Sequence, residues 1–302
     1  MTMQEACQQG EKLLMQAGIP DARLDAWYLL EHITGVSRAV YYAKPDQELS
    51  EEQTGLYLDF IGRRAAHIPL QHLTGEQEFM GLTFHVNEHV LIPRQDTEAV
   101  VEEALRIIAA RVAFISSGRK TTGQENKSFR LLDMCTGSGC ILLSLIHHAG
   151  MNKACGSLKI SGTGLDISEE ALKVARANAE SLHIEAEFRQ SDLFEAAKGR
   201  YELIVSNPPY IRTEEIEALQ DEVKGHDPRI ALDGKEDGLY FYRKITSEAG
   251  TYLEVGGSLV FEIGFDQGED VSRLMQEAGF RNIMVKKDLA GLDRAVIGVY
   301  DR

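Results

Sequence analysis

The stretch Ser206-Asn207-Pro208-Pro209-Tyr210 directly follows the apolar run Leu203-Ile204-Val205, and the rest of the chain is organised around it. Other short apolar segments have the character of strands in an α/β sheet, but only this one ends in a polar side chain, two prolines and an aromatic ring. Pro208 lacks an N–H and has a fixed φ, so the run cannot continue as a paired central strand. Because a residue before proline favours extended geometry, we expect Asn207 at the strand tip.

This strand tip offers hydrogen-bond acceptors to the space beyond the sheet. The carboxamide oxygen of Asn207 and the backbone carbonyls that follow it are acceptors, and Tyr210 supplies a flat ring face. Two acceptors beside a ring suit a planar –NH2 group, which donates two hydrogen bonds and has a π-face. From these residues alone, an ordinary loop after a proline-terminated strand remains the alternative.

The composition is that of an ordinary globular protein. With 302 residues, 43% hydrophobic and 26% charged, the chain is long enough for one large domain and a smaller one. The formal net charge of −15 disfavours a surface that follows nucleic-acid phosphates, which needs lysine and arginine. A protein partner is therefore the more reasonable expectation.

The chain carries no visible targeting or membrane signal. No apolar run approaches the roughly 18–20 residues that span a bilayer, and the N-terminus has neither a basic region nor an apolar region of a secretory signal. The histidines form no metal-binding pattern, so no metal is expected. The cysteines form no CxxC pair, which predicts reduced thiols in a cytoplasmic protein. They are Cys7, Cys135, Cys140 and Cys155.

The first third of the chain differs in pattern from the remainder. Residues 1–75 have apolar residues at helical spacing and no strand pattern, which predicts a small helical domain. Substrate recognition and simple stabilisation are both compatible with these residues. Residues 76–94 alternate apolar and polar side chains around Met80-Gly81 and Asn87-Glu88, which predicts a β-hairpin linker.

From residue 95 to residue 302 strand and helix patterns alternate, which predicts a doubly wound sheet. The polar stretch 116–128 predicts a loop, and 214–223 predicts an acidic helix with a solvated face. The last two apolar segments, 283–285 and 295–300, predict an antiparallel pair at the end of the chain.

A glycine turn follows the predicted strand that ends at Asp133. The turn, Cys135-Thr136-Gly137-Ser138-Gly139, precedes a predicted helix and lets the backbone approach a ligand closely. It contains only two glycines and is not G-x-G-x-x-G, so a dinucleotide pyrophosphate is poorly served. The carboxylate of Asp133 is suited instead to a cationic ligand.

Two later strands also end in carboxylates. Asp166 lies where a βαβ unit accepts hydrogen bonds from ribose hydroxyls. Asp192 can accept a hydrogen bond from the adenine amine, and Leu193 can pack on the adenine face. Three carboxylates at successive strand ends, where open α/β sheets bind ligands, predict a nucleoside ligand without phosphates.

These residues resemble a known class of proteins. The motifs Asp133-Met-Cys-Thr-Gly-Ser-Gly139, Asp166, Ser191-Asp192 and Asn207-Pro-Pro-Tyr210 are similar to those of Rossmann-like S-adenosylmethionine-dependent amino-methyltransferases. Further motifs narrow the resemblance to the peptide chain release factor N5-glutamine methyltransferases, the PrmC/HemK family. They are Gln71-His-Leu-Thr-Gly75-Glu, Glu78-Phe-Met-Gly-Leu82, Leu91-Ile-Pro-Arg-Gln-Asp-Thr-Glu98, Leu232-Asp-Gly-Lys-Glu-Asp-Gly-Leu239, Phe261-Glu-Ile-Gly264 and Lys287-Asp-Leu-Ala-Gly291.

The resemblance covers about residue 70 to the end, whereas residues 1–69 fit only by length and helical character. It implies a Rossmann-like methyltransferase sheet (95–302) and a small helical recognition domain (1–75), joined through a β-hairpin (76–94). It also implies methyl transfer from S-adenosyl-L-methionine to the side-chain amide of the glutamine in the Gly-Gly-Gln (GGQ) loop of bacterial release factors. A monomer is the default expectation.

Residue roles follow from the same resemblance. It implies that residues Cys135, Thr136, Gly137, Ser138, Gly139, Asp166, Leu193 and Asn207 contact the cofactor, beside Asp192 as reasoned above. It implies that Asn207, Pro208, Pro209 and Tyr210 hold the glutamine, with Asn207, Pro208 and Tyr210 acting in catalysis. Leu193 departs from the aromatic residue of some relatives, which predicts weaker stacking on adenine. The stretch 116–128 has the character of an insertion.

The chemistry of an amide explains this arrangement. The nitrogen lone pair is delocalised into the carbonyl, so an amide attacks poorly. If its N–H groups donate to the Asn207 oxygen and the Pro208 carbonyl, the nitrogen is oriented and its developing positive charge is stabilised. No strong general base is required, because the alkylated nitrogen loses its proton easily.

Two other functions fit parts of the pattern. A DNA adenine N6-methyltransferase would use the same receptor for the exocyclic amine, but the charge of −15 and the lack of a basic DNA-reading domain argue against it. A non-catalytic S-adenosylmethionine-binding partner subunit is the other, and the intact Asn207-Pro208-Pro209-Tyr210 disfavours it.

Overall fold

The computed structural model describes residues 1–116, 128–151 and 159–301. The chain divides into two compact units, one formed by Met1–Glu76 with Gln220–His226 and the other by Gln77–Leu219 with Asp227–Arg302. The predicted loop 116–128, apart from its two end residues, and Cys155 lie outside the described residues. No helix in the described ranges is long and apolar enough to cross a membrane.

The first unit is helical, as the apolar spacing predicted. Gly35 ends its second helix in left-handed backbone (φ 67°), and Ser50 begins the fourth with a capping box. In that box the Ser50 Oγ accepts from the Gln53 N–H at 3.0 Å, and the Ser50 N–H donates to the Gln53 Oε1 at 3.1 Å. The helices are α1 (Met3–Gln16), α2 (Ala22–Thr34), α3 (Arg38–Ala43), α4 (Glu51–Ala65), α5 (Leu70–Thr74) and, from later in the chain, α9 (Asp221–His226).

The second unit contains a two-stranded hairpin and a seven-stranded sheet. Its strands are β1 (Glu76–Phe79), β2 (Leu82–His85), β3 (Ser128–Met134), β4 (Lys159–Asp166), β5 (Glu187–Gln190), β6 (Tyr201–Ser206), β7 (Leu253–Glu262), β8 (Phe280–Lys287) and β9 (Asp293–Tyr300). Its helices are α6 (Glu98–Ser116), α7 (Cys140–Met151), α8 (Glu169–Ser181), α10 (Arg229–Leu232), α11 (Tyr240–Tyr252) and α12 (Gly268–Glu277).

The large sheet has the order β5-β4-β3-β6-β7-β9-β8, with β9 antiparallel to both of its neighbours. The chain builds outward from β3 through β4 to β5, then returns to place β6 on the other side of β3. The direction of winding therefore reverses between β3 and β6, and open sheets of this kind bind ligands beyond such a reversal. The predicted doubly wound sheet and the terminal antiparallel pair are confirmed.

Both faces of the sheet are covered, which explains its continuous apolar strands. Along β3, Leu131 packs into one buried cluster and Leu132 into another. The first cluster includes residues of α6 and α7, and the second includes residues of α11 and α12. The central strands are thereby held rigidly, and their carboxyl ends can position side chains accurately.

Two details of the sequence interpretation are wrong. The alternation around Asn87-Glu88 does not form strand pairing: the hairpin ends at His85, and Val86 and Val90 pack against α8 instead. The acidic stretch 214–223 is not one solvated helix. A 3-10 turn at Thr213–Ala218 and the separate α9 replace it, because part of the stretch packs with the helical unit.

Candidate active site

Hydrogen bonds align the carboxyl ends of four parallel strands at one edge of the sheet. The Thr136 N–H donates to the Leu165 carbonyl at 3.0 Å, and the Ser191 N–H donates to the Asp166 carbonyl at 2.8 Å. The Ser206 hydroxyl donates to the Met134 carbonyl at 2.8 Å. The structure thus places the glycine turn, Asp166, Asp192-Leu193 and the Asn207 strand tip along the same edge.

The glycine turn is held in an unusual backbone conformation. Cys135 (φ 61°), Gly137 (φ 54°) and Gly139 (φ 79°) are all left-handed. A Cβ added at Gly137 would meet nothing within 4 Å, so the turn leaves open space beside its backbone. Asn178, a fully buried residue of α8, donates to the Ser138 carbonyl at 2.9 Å and holds the turn from behind.

Asp133 does not face a ligand, and that expectation is wrong. Its side chain is fully buried, and its Oδ2 accepts the hydroxyl hydrogen of Thr136 at 2.6 Å. Burial raises the pKa of its carboxyl to about 7, partly opposed by the Thr136 hydrogen bond. Asp133 therefore shapes the turn from inside the sheet and cannot touch a cationic group.

Asp166 ends β4 at the same edge of the sheet, and backbone donors orient its side chain. Its Oδ2 accepts the Gly137 N–H and its Oδ1 accepts the Ser168 N–H, each at 2.9 Å. The residue is half-buried, and burial raises the pKa of its carboxyl although these hydrogen bonds lower it. Each oxygen keeps a lone pair for a further donor, so the carboxylate can still accept from a pair of hydroxyls.

Asp192 and Leu193 lie in a turn after β5. Asp192 is exposed, and Leu193 is half-buried with left-handed backbone (φ 46°). The Ser191 hydroxyl donates to the Leu193 carbonyl at 2.6 Å and accepts the Ala196 N–H at 2.9 Å. The turn is therefore braced, and it presents Leu193 with one side packed on the second core cluster.

The Asn207 strand tip lies partly at the surface of the second unit and partly in its core. Pro208 and Pro209 are buried, whereas Asn207 and Tyr210 are half-buried. Burial raises the pKa of the Tyr210 phenol, and the nearby Glu262 carboxylate raises it further. Tyr210 is thus a neutral ring over the whole working pH range, which suits a packing role.

Residues far along the chain pin the backbone of Tyr210. The Gln267 Nε2 donates to the Tyr210 carbonyl at 3.0 Å, and Ile211 forms an isolated parallel bridge with Asp233. A Cβ on Gly234 would lie 2.7 Å from the Tyr210 Cα, and one on Gly238 would strike the Tyr210 carbonyl oxygen. The sequence signalled the glycines through their motif, but nothing in it signalled Gln267 or Asn178.

A buried polar cluster lies next to the strand tip and was also missed. Glu262 at the end of β7 is 2% exposed, and burial raises the pKa of its carboxyl to about 7, although hydrogen bonds from Thr97 and Asn207 oppose this rise. Arg294 on β9 contacts the Asp288 Oδ2 at 3.1 Å and the Asp96 Oδ2 at 3.4 Å. The motif Phe261-Glu-Ile-Gly264 was the available signal for this cluster.

Similar proteins were found for both units. The family model described as "PrmC N-terminal domain" matches residues 5–75, and "Methyltransferase small domain" matches residues 121–224. The chain is 37% identical to the release factor glutamine methyltransferase of Caulobacter vibrioides, covering 99% of this chain and 96% of that protein. It is 37% identical to the protein of that name from Agrobacterium fabrum, covering 94% and 93%.

Two solved structures that align with this chain differ in how closely their folds agree with it. The catalytic domain of hMettl16, in complex with the MAT2A 3'UTR hairpin 6, aligns with a TM-score of 0.54 at 13% identity, covering 81% of this chain and 83% of that one, which shows the fold alone. A structure of protein-(glutamine-N5) methyltransferase (release factor-specific) from Alicyclobacillus acidocaldarius is 29% identical, with a TM-score of 0.39, covering 72% of this chain and all of that one.

Proposed function

The chain belongs to the release factor glutamine methyltransferase family, and from this premise we propose how it methylates the side-chain amide nitrogen (N5) of the glutamine in the GGQ motif of peptide chain release factors. The observation that carries the proposal is the position of Asn207-Pro208-Pro209-Tyr210. This stretch follows β6 at the winding reversal, beside the glycine turn that follows β3.

We propose that S-adenosyl-L-methionine supplies the methyl group, and the residues at the carboxyl ends of β3, β4 and β5 support binding of its nucleoside there. The open space at Gly137 lets the backbone of Cys135, Thr136, Gly137, Ser138 and Gly139 lie close to a ligand. Asp166 is oriented to accept from ribose hydroxyls, and exposed Asp192 can accept from the adenine amine. Leu193 offers an aliphatic contact to the adenine ring.

The substrate amide is bound by the strand tip. Asn207 and Pro208 offer two oxygen acceptors to the two N–H groups, and the Tyr210 ring lies beside them as a planar wall. These contacts hold the planar amide in one orientation, so that the face of the nitrogen along which its lone pair projects is directed toward the methyl donor. Because the same oxygens face the nitrogen as it becomes positive, they stabilise the transition state more than the ground state.

The acidified nitrogen then loses a proton to solvent without a dedicated strong base. Pro208 and Pro209 contribute rigidity and the missing N–H groups, which would otherwise compete for the acceptors. The chain's own contribution to the rate is therefore positioning and fixed electrostatics.

Substitution of Asn207 tests this proposal. We expect Asn207→Ala to lower kcat by about 100-fold or more, as for loss of other preorganised polar contacts, while cofactor affinity changes less. Tyr210→Phe serves as the matched control, because it keeps the ring face and should retain most of the activity. Near-normal turnover of Asn207→Ala in a labelled-cofactor assay would remove Asn207 from the mechanism.

The same assay separates the alternative functions. Labelled cofactor is incubated with the enzyme, a release factor and adenine-containing DNA. Label in the release factor is expected. Label in DNA would instead indicate an adenine methyltransferase, and label in neither would indicate a binding subunit.

We also propose that residues 1–75 form the substrate-recognition domain, that 76–94 link it to the catalytic part, and that 95–302 carry the methyltransferase. The match of residues 5–75 to a separate domain model supports the first boundary. No nucleic acid, metal or membrane enters this proposal, and the enzyme is proposed to act as a monomer in the cytoplasm.

A further inference from the structure

Glu262 is a buried carboxylate beside the catalytic strand tip that the mechanism above does not use. It ends β7, and the parallel pairing of β6 with β7 sets Ser206 opposite Phe261. The next residues along the two strands are Asn207 and Glu262, so the register makes them neighbours. Glu262 is 2% exposed, and its Oε2 has no hydrogen-bond partner among the described residues.

A buried carboxylate with an unpaired oxygen lowers the stability of the folded state. Here it lies beside Asn207, whose side-chain orientation decides whether an oxygen or an NH2 group faces the substrate amide. The amide of Asn207 lies next to Glu262 in the register of β6 and β7, and its hydrogen bond partly offsets the rise in the Glu262 pKa that burial causes. A carboxamide has one accepting and one donating end, and an ionised carboxylate can only accept. When Glu262 holds the Asn207 nitrogen, the Asn207 oxygen must point the other way.

We propose that Glu262 is a positioning residue that accepts a hydrogen bond from the Asn207 carboxamide nitrogen and thereby turns the Asn207 oxygen toward the substrate amide. This inference rests on the proposed role of Asn207. It adds that the acceptor is selected by a second buried group: without it, Asn207 could present its N–H groups to a substrate that also presents N–H groups.

The surroundings of Glu262 make its charge state responsive to pH. Burial raises the pKa of its carboxyl to about 7, opposed by Thr97, Arg294 and Asn207. Once protonated, the carboxyl can donate to the Asn207 oxygen, which favours the unproductive orientation. The titratable and charged groups that face Glu262 are Asp96, Arg294, Tyr210, Tyr242 and Cys140.

Most of these neighbours do not change charge near neutral pH. The pKa values of Tyr210, Tyr242 and Cys140 are all raised, and that of Arg294 is raised as well. The side chain of Asp96 is 57% exposed. Asp133 is a second buried carboxyl with a pKa of about 7 in the same unit, so a variant is needed to assign a pH effect to Glu262.

The experiment compares kcat for release factor methylation in the wild type and in Glu262→Gln between pH 6 and pH 8.5. We expect wild-type kcat to fall below about pH 7. In Glu262→Gln we expect kcat to be about tenfold lower at pH 8, because a neutral amide can also donate and no longer selects one orientation. The fall in kcat below about pH 7, here called the acidic limb, should be absent in Glu262→Gln. The KM of this variant for the release factor should be little changed.

Glu202→Gln is the matched control. Glu202 is another mostly buried glutamate with a raised pKa, near the opposite end of β6, where its Oε2 accepts the Arg130 N–H at 2.8 Å. This variant removes a buried charge without touching Asn207, so its kcat and acidic limb should match the wild type. An equal loss in both variants would indicate a general effect of charge removal and overturn the proposal.

Stability separates positioning from support of the fold. Since the folded state raises the pKa of Glu262 above the usual value of 4.5, its ionised form costs stability above about pH 7, and this cost vanishes at low pH. Glu262→Gln should therefore melt no lower than the wild type at pH 8 while being slower. A lower melting temperature together with lower kcat would assign Glu262 a structural role instead.

A double-mutant cycle tests whether Glu262 acts through Asn207. In an Asn207→Ala background, Glu262→Gln should change residual turnover by less than about twofold, because the group it orients is gone. The proposal is overturned if Glu262→Gln keeps wild-type kcat, keeps the acidic limb, or slows Asn207→Ala by the same factor as the wild type. A fully active Asn207→Ala would instead refute the proposed function itself.

Discussion

Two residues at the proposed cofactor crevice, Cys135 and Leu193, have left-handed backbone although neither is glycine. Their φ values are 61° and 46°. Such conformations cost of order 1 kcal/mol or more and persist where the surroundings over-determine them, often at functional sites. Hydrogen bonds around Thr136 and Ser191 supply that support here. Two backbone positions at the proposed cofactor crevice are therefore strained, and contacts with the packed sheet hold them in this conformation.

Relief of this strain should be measurable at Cys135. Because glycine adopts positive φ without a Cβ penalty, we expect Cys135→Gly to raise the free energy of unfolding by up to about 1 kcal/mol. Chemical denaturation of the variant and the wild type measures the difference. Cys140→Gly is the control: Cys140 begins α7 with no positive φ, so glycine there should destabilise. If both variants lose stability equally, the left-handed backbone of Cys135 does not lower the free energy of unfolding measurably.

At the level of elements, the segment between Tyr210 and α11 forms a clamp on the proposed substrate-binding strand tip, because its backbone packs against Tyr210. Ile211 bridges to Asp233, and Gly234 and Gly238 allow their backbone to lie directly against Tyr210. Gln267, just before α12, adds a hydrogen bond to the Tyr210 carbonyl. The ring's position therefore depends on elements that follow it by more than twenty residues.

Gly238→Ala should disturb this clamp. The new methyl group would strike the Tyr210 carbonyl oxygen, so we expect kcat to fall by at least about tenfold, as when a bound group is misplaced by a fraction of an ångström. Gly256→Ala is the control, because Gly256 has a similar φ (76° against 73°) and open space around its added Cβ. Gly256→Ala should lose about 1 kcal/mol of stability through its positive φ, whereas Gly238→Ala should lose more because of the backbone clash, and only Gly238→Ala should lose activity. Equal activities would mean that Tyr210 tolerates displacement.

Within the helical unit, α9 is held by a buried cation. The Arg64 guanidinium contacts the Asp25 Oδ2 and the Glu222 Oε1, each at 2.7 Å, and its side chain is only 5% exposed. Removal of one partner from a buried ion pair leaves an uncompensated charge and costs about 3–5 kcal/mol. We expect Arg64→Met to lower the stability of this unit by that order. Arg63→Met, at an exposed pair with Asp59, should cost less than about 1 kcal/mol.

The loss in Arg64→Met should also depend on pH. Burial raises the pKa of Asp25, and Arg64 opposes the rise, so the variant should raise it further. A carboxyl with a raised folded pKa costs stability while it is ionised, and the cost disappears as pH falls through the folded value toward the unfolded value near 4. Thermal unfolding should thus show a smaller loss at pH 4.5 than at pH 7.5. A loss that is constant with pH would exclude Asp25 as the stranded charge.

In the whole molecule, the helical unit is separate from the unit that carries the strand tip, so it could provide a second contact with a protein substrate. If residues 1–75 recognise the release factor outside its GGQ loop, kcat/KM should be at least about tenfold higher for the whole factor than for a short GGQ peptide, because a second contact adds affinity. The difference should lie mainly in KM. Equal kcat/KM values for peptide and whole factor would show that the strand tip alone recognises the substrate.

Periodicity and chain stiffness are local properties, and the features that depend on them could be predicted from the amino-acid sequence. These are the alternating strands and helices from β3 to β9, the helical character of residues 1–75, and the strand end at Asn207-Pro208. The motifs then pointed to the family and to a crevice at the strand ends. The position of Asp166 at that edge could be predicted because it stands between the end of an apolar strand and Ser168, which caps the next helix.

Which polar groups are buried, and which partners they have, became clear from the folded chain alone. Asp133 turned inward, and α9 joined the helical unit, where Glu222 pairs with Arg64. Glu262 came to lie beside Asn207, Gln267 beside Tyr210, and Asn178 beside the glycine turn. These pairings join residues tens of positions apart in the chain, as Gln267 and Tyr210 show. They depend on strand register and on the packing of neighbouring layers, and a short window of sequence encodes neither. An unpaired polar group carries a high free-energy cost only when it is buried, and burial is known only once the chain has folded.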